Sequence, residues 1–488
     1  MTDQLNALDA TFLELEEVDP SAHMHIGGLM IFEARPDGHA PSPAELVARL
    51  EKGLEKLPRY RQRLSSPTTG GFSWPYWTED ERFRVSNHVR AVTIPAPGGQ
   101  AELLEWAGAF YSERLDRSQP LWEIAIVDGL AGGCWALASK THHCMVDGIG
   151  SVDTVSLVLD VEPSAAPPRK PAGKVRAPEP PPPFQSAIGA AAAVGRIGGA
   201  AVRLPVRLAR TAAGMARGAI GAARHPERGA DVLKRSRALA ELIVEDEVQA
   251  AERCSLNVPI GGHRTMAVAW VPLSDLKQIK QALGGTVNDV VLAIAAGGLR
   301  QLLISRRETP SERGLRAMVP VNLRTAGEEL AMGNRISSLF VHLPVGIEDP
   351  VERYASQMEE AERLKSGTQA LGSSTLLDLT QHAPPLIHSF LARSLYATRL
   401  FNLTITNVPG PQIPLYGLGS KMTDIWPLVP LAAEHAVGLA VLSYDGKVFF
   451  GLNADRDTMP DLDVLANGIE SSLAELREAA AATAGSPS

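Results

Sequence analysis

Alternating apolar and polar residues predict two β-hairpins, one in each half of the chain. The first is LWEIAIVDGLAGGCWALASKTHH, in which strands Leu121–Val127 and Trp135–Thr141 flank a turn at Asp128-Gly129. The second is AVGLAVLSYDGKVFFGLNAD, with its turn at Asp445-Gly446. Aspartate followed by glycine favours tight turns, because glycine readily adopts the positive φ angles that they need. We therefore expect antiparallel strands in both halves.

Apolar residues at helical spacing predict helices between and after these strands. SVDTVSLVLDV should be helical after the first hairpin, and GGTVNDVVLAIAAGGLRQLLI should form a long apolar helix that Thr286 can cap. DLDVLANGIESSLAELREAA has the pattern of an amphipathic helix. Both halves thus mix strands with helices, which predicts an α/β (α+β) fold with mixed sheets flanked by helices.

A change of composition divides the chain into two lobes joined by a linker. The stretch EPSAAPPRKPAGKVRAPEPPPPF is rich in proline, which favours extended backbone, and a stretch rich in alanine, glycine and arginine follows it. We place an N-terminal lobe at 1–162, the linker at 163–240 and a C-terminal lobe at 241–478. The remaining residues, 479–488, should be a disordered tail.

The second part of the linker, residues 186–224, carries an arginine at every seventh position. On a helix this spacing drifts by only about 20° per step, so the arginines would form one basic stripe. Such a stripe suits contact with anionic lipid, but it is equally consistent with a solvated helical linker packed on the protein. The arginines concerned are Arg196, Arg203, Arg210, Arg217 and Arg224.

Composition narrows the classes of protein that need to be considered. The chain has 488 residues, enough for about two or three domains, and a net charge of −8 that argues against nucleic acid as the main partner. Its 3 cysteines are too few and too scattered for a disulfide framework or a zinc site. The acidic N-terminus does not resemble a signal peptide, and no apolar run predicts a transmembrane helix. We expect a cytoplasmic protein, with peripheral contact to the inner membrane face or lipid inclusions left open.

The stretch THHCMVDGIG carries the main candidate chemistry. While the strand continues, its alternation would direct His142 and His143 to opposite sides, so one would face a site and the other would brace the backbone. Asp147 and Gly148 would shape the following turn. A histidine near its usual pKa can take a proton from a hydroxyl or thiol. A pair of histidines with a purely structural role is equally consistent with this spacing. A metal site would need further ligands nearby, which the sequence lacks, so we expect no metal.

Several stretches together resemble one known family. HHCMVDG, from His142 to Gly148, matches the HHxxxDG motif of the CoA-dependent acyltransferase superfamily, which includes chloramphenicol acetyltransferase and peptide-synthetase condensation domains. Further blocks are similar, in order, to the bacterial wax ester synthase/diacylglycerol acyltransferase family. These blocks are LNALDATFLELE (5–16), MHIGGLMIFE (24–33), PLWE (120–123), TVNDVVLA (286–293), MVPVNLR (318–324), GNRIS (333–337) and NVPGP (407–411). The resemblance spans residues 5 to 475, except for the linker.

The resemblance implies a two-lobed, chloramphenicol acetyltransferase-like fold with a tunnel between the lobes. Acyl-CoA would enter as a co-substrate from one side, and diacylglycerol or a long-chain alcohol from the other, with no bound cofactor. By motif, His143 would be the general base, with His142 beside it, while Asp147 and Gly148 would be mainly structural. Asn288 and Asp289 match the ND motif of the second lobe. Asn288 is a candidate oxyanion donor, although capping its helix is an equally good role.

Two other functions remain consistent with the same residues. The first is a condensation-type enzyme that takes acyl groups from a carrier protein, and the second is a lipid-binding scaffold with an inactive site. Among the accessory residues, we expect Trp122 in the core or lining the channel, and Cys144 as a small buried residue. Arg324 should pair with a carboxylate or with a CoA phosphate. NVPGP should form the turn by which a strand leaves the second lobe, because proline cannot donate to a sheet.

Overall fold

A computed structural model describes six stretches of the chain, all of them within residues 1–166 and 248–488. The described stretches are 3–65, 74–145, 157–163, 251–322, 336–366 and 400–484. The predicted linker at 163–240 and its basic stripe therefore lie almost wholly outside the described residues.

Strands and helices alternate irregularly in the first half of the chain. Its helices are α1 (Ala7–Val18), α2 (Pro43–Leu54) and α3 (Gln100–Ser112). Its strands are β1 (Asp3–Gln4), β2 (His25–Phe32), β3 (Gln62–Ser65), β4 (Tyr76–Glu79), β5 (Val89–Thr93), β6 (Trp122–Asp128), β7 (Trp135–His142) and β8 (Leu159–Asp160). Asn6 caps α1, and Ser42 forms a capping box with Glu45 at the start of α2.

The second half has the same mixed character. Its helices are α4 (Leu273–Leu283), α5 (Val287–Ser305), α6 (Pro350–Ser366) and α7 (Leu462–Ala484). Its strands are β9 (Arg264–Pro272), β10 (Leu315–Asn322), β11 (Ile336–Leu343), β12 (Leu403–Val408), β13 (Tyr416–Gly417), β14 (Ser420–Leu428), β15 (Val437–Tyr444) and β16 (Lys447–Asp455). Helix α7 continues to Ala484, so the tail that we predicted from 479 is helical in its first part; Ala480 is buried there.

The described strands form three sheets. A small sheet has the order β1-β4-β3, a six-stranded sheet has the order β11-β10-β12-β15-β16-β9, and a seven-stranded sheet has the order β5-β6-β7-β2-β14-β13-β8. Both predicted hairpins are present, as the antiparallel pairs β6–β7 and β15–β16. The turns at Gly129 and Gly446 use positive φ angles of 82° and 82°, which explains the glycine at each position.

Strands β13 and β14 come from the second half of the chain but lie in the sheet of the first half. Strand β12 ends at Val408, just before Pro409, and the chain then crosses to β14, which pairs antiparallel with β2. This confirms that NVPGP is where the chain leaves the second sheet. The backbones are close here: an added Cβ at Gly28 would lie 2.6 Å from the carbonyl oxygen of Trp426. The crossing strand therefore ties the two lobes together.

Helix α5 forms the centre of the second lobe. Residues Asp289 to Gly298 of this helix are all buried, and its neighbour α7 packs so closely that a Cβ at Gly297 would lie 2.0 Å from the Ser472 hydroxyl oxygen. The helix is long and apolar enough to cross a bilayer, but most of it is enclosed by protein. Such burial is typical of the core helix of a globular lobe.

Candidate active site

The two adjacent histidines lie where β7 ends. The His142 backbone N–H donates to the Leu121 carbonyl at 2.9 Å, and the His143 N–H donates to the Met24 carbonyl at 2.8 Å. Strand β7 stops at His142, and His143 begins a short 3₁₀ turn. The predicted alternation therefore does not continue to His143, and both rings contact the same helix, α1.

The ring of His143 stacks on Phe12 of α1, with centroids 3.9 Å apart and an interplanar angle of 17°. Its Nδ1 is buried and receives no hydrogen bond from another of the described residues. Burial lowers the pKa of His143 to about 4. The tautomer with its proton on Nδ1 would leave the Nε2 lone pair to accept another. At neutral pH His143 is thus an uncharged base.

His142 is held in one tautomer. Its Nδ1 accepts a hydrogen bond from the Cys144 backbone N–H at 3.1 Å, so the ring proton must be on Nε2. That Nε2 lies 3.4 Å from Oε2 of Glu16. Burial lowers the pKa of His142, while the Glu16 carboxylate acts in the opposite direction. His142 is therefore a neutral brace that joins the histidine turn to α1.

Glu16 is the buried centre of an ionic cluster. Its Oε2 lies 2.8 Å from Nη2 of Arg117 and 3.2 Å from Nη2 of Arg114, and only 3% of the Glu16 side chain is exposed. His25, on the strand beside β7, places its Nε2 3.9 Å from Oε1 of Glu16. Burial alone would raise the pKa of Glu16, but His142 and Arg117 hold it well below its usual range. The carboxylate is therefore ionised inside the protein.

A groove of about 480 Å³ opens beside this cluster, and His143 is not among the residues that line it. The groove is lined by His23, Ala109, Ser112, Glu113, Arg114, Gly262, His263 and Arg456. Residues 146–156 follow directly on the histidine turn and lie outside the described residues, as do the predicted site residues Asp147 and Gly148. The tunnel and the roles of these two residues stay predictions.

The ND motif lies in the first turn of α5, where Asp289 completes the capping box of Thr286. The Thr286 backbone N–H and hydroxyl each donate to Oδ2 of Asp289 at 2.8 Å, and the Asp289 N–H returns a bond to the Thr286 hydroxyl at 3.3 Å. This is the predicted Thr286 cap, completed by the motif aspartate. The catalytic role that the resemblance implies for Asp289 is not tested by this geometry.

Asn288 does not cap the helix. Its Oδ1 accepts a hydrogen bond from Nδ2 of Asn407 at 2.9 Å, so the ND motif and the NVPGP motif meet here. Because Oδ1 is the acceptor, the amide N–H groups of Asn288 are not used in this bond. The structure thus leaves Asn288 chemically able to donate to an oxyanion, and that role stays a prediction.

The accessory residues are placed largely as predicted. Trp122 is in the core, stacked on His88 with centroids 4.5 Å apart, and its indole N–H donates to the Tyr60 carbonyl. Cys144 is buried, and burial raises the pKa of its thiol well above the usual range, which disfavours a thiolate nucleophile. Arg324 lies outside the described residues.

Sequence reasoning missed Phe12 and Glu16, the two α1 residues that contact the histidines. Both lie in LNALDATFLELE, which we used only to identify a family. Their spacing of four residues places them on one face of a helix. An acidic residue on that otherwise apolar face was the available signal, because a buried carboxylate needs a charged partner.

Two family models match the chain and together cover most of it. The wax ester synthase/diacylglycerol acyltransferase catalytic domain matches residues 5–291, and the WS/DGAT C-terminal domain matches residues 332–477. Two probable diacylglycerol O-acyltransferases of Mycobacterium tuberculosis are each 32% identical to the chain over 479 residues. The alignments cover 97% of this chain and 95% of the first relative, and 96% of this chain and 98% of the second.

Solved structures give the same result. The wax ester synthase/diacylglycerol acyltransferase from Marinobacter aquaeolei VT8 superposes with a TM-score of 0.69 at 27% identity, covering 98% of this chain and 100% of that one. A starter condensation domain of rhizomide synthetase, solved with C8-CoA and Leu-SNAC, superposes with a TM-score of 0.57 at 15% identity. The superposition covers 98% of this chain and 94% of that one, so the two share the fold. The predicted chloramphenicol acetyltransferase-like fold class is thereby confirmed. The chain belongs to the wax ester synthase/diacylglycerol acyltransferase family.

Proposed function

We propose that this protein transfers the acyl group of acyl-CoA to the hydroxyl of diacylglycerol, and also to long-chain alcohols, with His143 as the general base. The observation that supports the proposal most is the His143 imidazole, held uncharged at the end of β7, where the family motif places it. The names of the relatives, diacylglycerol O-acyltransferase, support this choice of acceptor.

The reaction follows from this geometry without a covalent intermediate. Nε2 of His143 takes the proton of the acceptor hydroxyl, and the oxygen attacks the thioester carbonyl carbon. The C–S bond then breaks, and the protonated imidazole returns its proton to the departing CoA thiolate. The products are an ester and free CoA, so His143 is neutral again after each turnover. The negative oxygen of the tetrahedral intermediate needs donors nearby, for which Asn288 is our candidate.

The acceptor can be tested directly with purified protein. Given palmitoyl-CoA and a panel of acceptors, we expect triacylglycerol from diacylglycerol and wax ester from hexadecanol, separated by thin-layer chromatography. Both acceptors present one hydroxyl on an apolar body, so the relative yields of the two products show which acceptor the enzyme prefers. Esterification that requires an acyl group on a carrier protein would point to a condensation-type enzyme instead. Liposome binding without any ester would indicate a lipid-binding scaffold.

We further propose that the basic segment 186–224 brings the enzyme to an anionic lipid surface. This rests on the sequence, since the segment lies outside the described residues. Replacing Arg203, Arg210 and Arg217 with glutamine should weaken binding to phosphatidylglycerol liposomes, most strongly at low salt, because screening weakens charge attraction. Sedimentation with the liposomes measures this, and unchanged partition at every salt concentration would contradict it.

A further inference from the structure

Helix α1 presents two side chains to the histidine turn. Phe12 contacts His143 and Glu16 contacts His142, and the two lie four residues apart on one helical face. Glu16 is fixed by its ion pairs to Arg117 and Arg114. These ion pairs hold α1 in place, and the ring of Phe12 is held in place with it.

The contact between Phe12 and His143 is a face-to-face stack. At 3.9 Å between centroids and 17° between planes, the phenyl ring covers one face of the imidazole. Phe12 itself packs against Leu15, Ala22 and Met24. Met24 also accepts the His143 backbone N–H, so the backbone and the ring of His143 are held by the same small cluster.

The ring planes of the two histidines are held differently at Nδ1. Among the described residues, no other residue bonds to Nδ1 of His143, whereas Nδ1 of His142 is bonded to Cys144. The χ2 torsion of a histidine is broad, so an imidazole without such a bond can rotate. Stacking on a flat, anchored ring removes that freedom.

We propose that Phe12 is a positioning residue for acyl transfer, which sets the ring plane of His143 so that the Nε2 edge meets the acceptor hydroxyl. The inference rests on the proposed function, in which His143 is the base. Phe12 also keeps water from one face of the imidazole, which disfavours the charged form. Misplacing a catalytic group by about 1 Å can cost about a hundredfold in rate, so a lost stack has a measurable effect.

The test compares Phe12→Leu with Phe12→Tyr. Leucine keeps an apolar side chain but has no flat face, so kcat should fall about tenfold to a hundredfold while KM for palmitoyl-CoA stays within about twofold. Tyrosine keeps the flat face and should retain most of kcat. With more water at His143, its pKa should rise from about 4 toward the ordinary 6.5. The acid limb of kcat/KM should therefore move to higher pH in Phe12→Leu.

Phe83→Leu is the matched control. Phe83 is also a partly buried aromatic ring beside a histidine, with its centroid 5.4 Å from that of His88, and its described contacts with other rings are with His88 and Trp122 rather than with His142 or His143. This variant should leave kcat and the acid limb unchanged. If Phe12→Leu fails to fold, Phe12→Met takes its place. In both Phe12→Leu and Phe12→Met, the ring-current shift that the Phe12 ring gives the His143 Cε1–H should disappear. NMR with ¹³C-labelled histidine measures this shift.

The outcomes separate this inference from the proposed function. An active His143→Ala enzyme would overturn the proposed function, and the inference with it. If His143→Ala is inactive but Phe12→Leu keeps wild-type kcat and the wild-type acid limb, only the positioning role is overturned. If Phe12→Tyr loses as much kcat as Phe12→Leu, stacking is not what Phe12 contributes, and the inference is wrong as well.

Discussion

His143→Ala is expected to lose transfer activity by about 10²–10⁴-fold, the range that a general base contributes. Alanine cannot take the hydroxyl proton, and the neighbouring His142 cannot replace it because its Nδ1 already accepts the Cys144 N–H. The fold should be preserved, because the backbone N–H of residue 143 still donates to Met24. Incorporation of radiolabelled palmitoyl-CoA into diacylglycerol measures the loss, and circular dichroism checks the fold.

His39→Ala provides the control for this experiment. His39 is exposed on the loop before α2, far along the chain from the histidine turn, and its removal should leave activity unchanged. Activity of His143→Ala within about tenfold of the wild type would remove His143 from the role of base.

Glu16→Gln is expected to give the largest loss of stability among the single changes considered. The substitution neutralises the carboxylate but leaves Arg117 and Arg114 directed at it. Arg117 keeps its pair with Glu17 and both arginines are partly exposed, so we expect a loss of about 1.5–3 kcal/mol, the range for hydrogen bonds to a charged group. Urea denaturation measures the loss. Activity should fall as well, since the charged carboxylate that faces Nε2 of His142 is lost.

The neighbouring Glu17→Gln is the matched comparison. Glu17 also pairs with Arg117, at 2.9 Å, but its side chain is 60% exposed. Exposed pairs contribute only about 0–1 kcal/mol, so the urea midpoint of this variant should barely move. Equal midpoints for the two variants would mean that the buried cluster does not stabilise the fold.

Local patterns were sufficient to predict most of the secondary structure before the histidine turn and at α5. The helix predicted for SVDTVSLVLDV is wrong in its described part, where residues 157–158 form a turn and Leu159–Asp160 form β8. Both hairpins follow from alternation and from Asp-Gly turns, and the start of α5 follows from Thr286 before an apolar run. The HHxxxDG motif located both histidines at a strand end. These features depend on residues close together in the chain, which is why the sequence reveals them.

Long-range contacts were not predictable in the same way. Nothing local indicates that β14 would join the sheet of the first lobe, or that α1 would reach the histidine turn. The sequence left capping and oxyanion donation equally open for Asn288 and predicted Thr286 as the cap. Thr286 is the cap, with Asp289 closing its capping box, while Asn288 pairs with Asn407. Only the tertiary contact with Asn407 could not be read from local spacing.

The position of β14 has a consequence for biosynthesis. Strand β2, whose other neighbour carries His142, has an open backbone edge until residues 420–428 have left the ribosome. Unpaired strand edges recruit other chains. A nascent polypeptide that stalls or is truncated within the second lobe would therefore expose that edge of β2. It would bind chaperones or aggregate, even though every residue of the HHxxxDG motif had already been made.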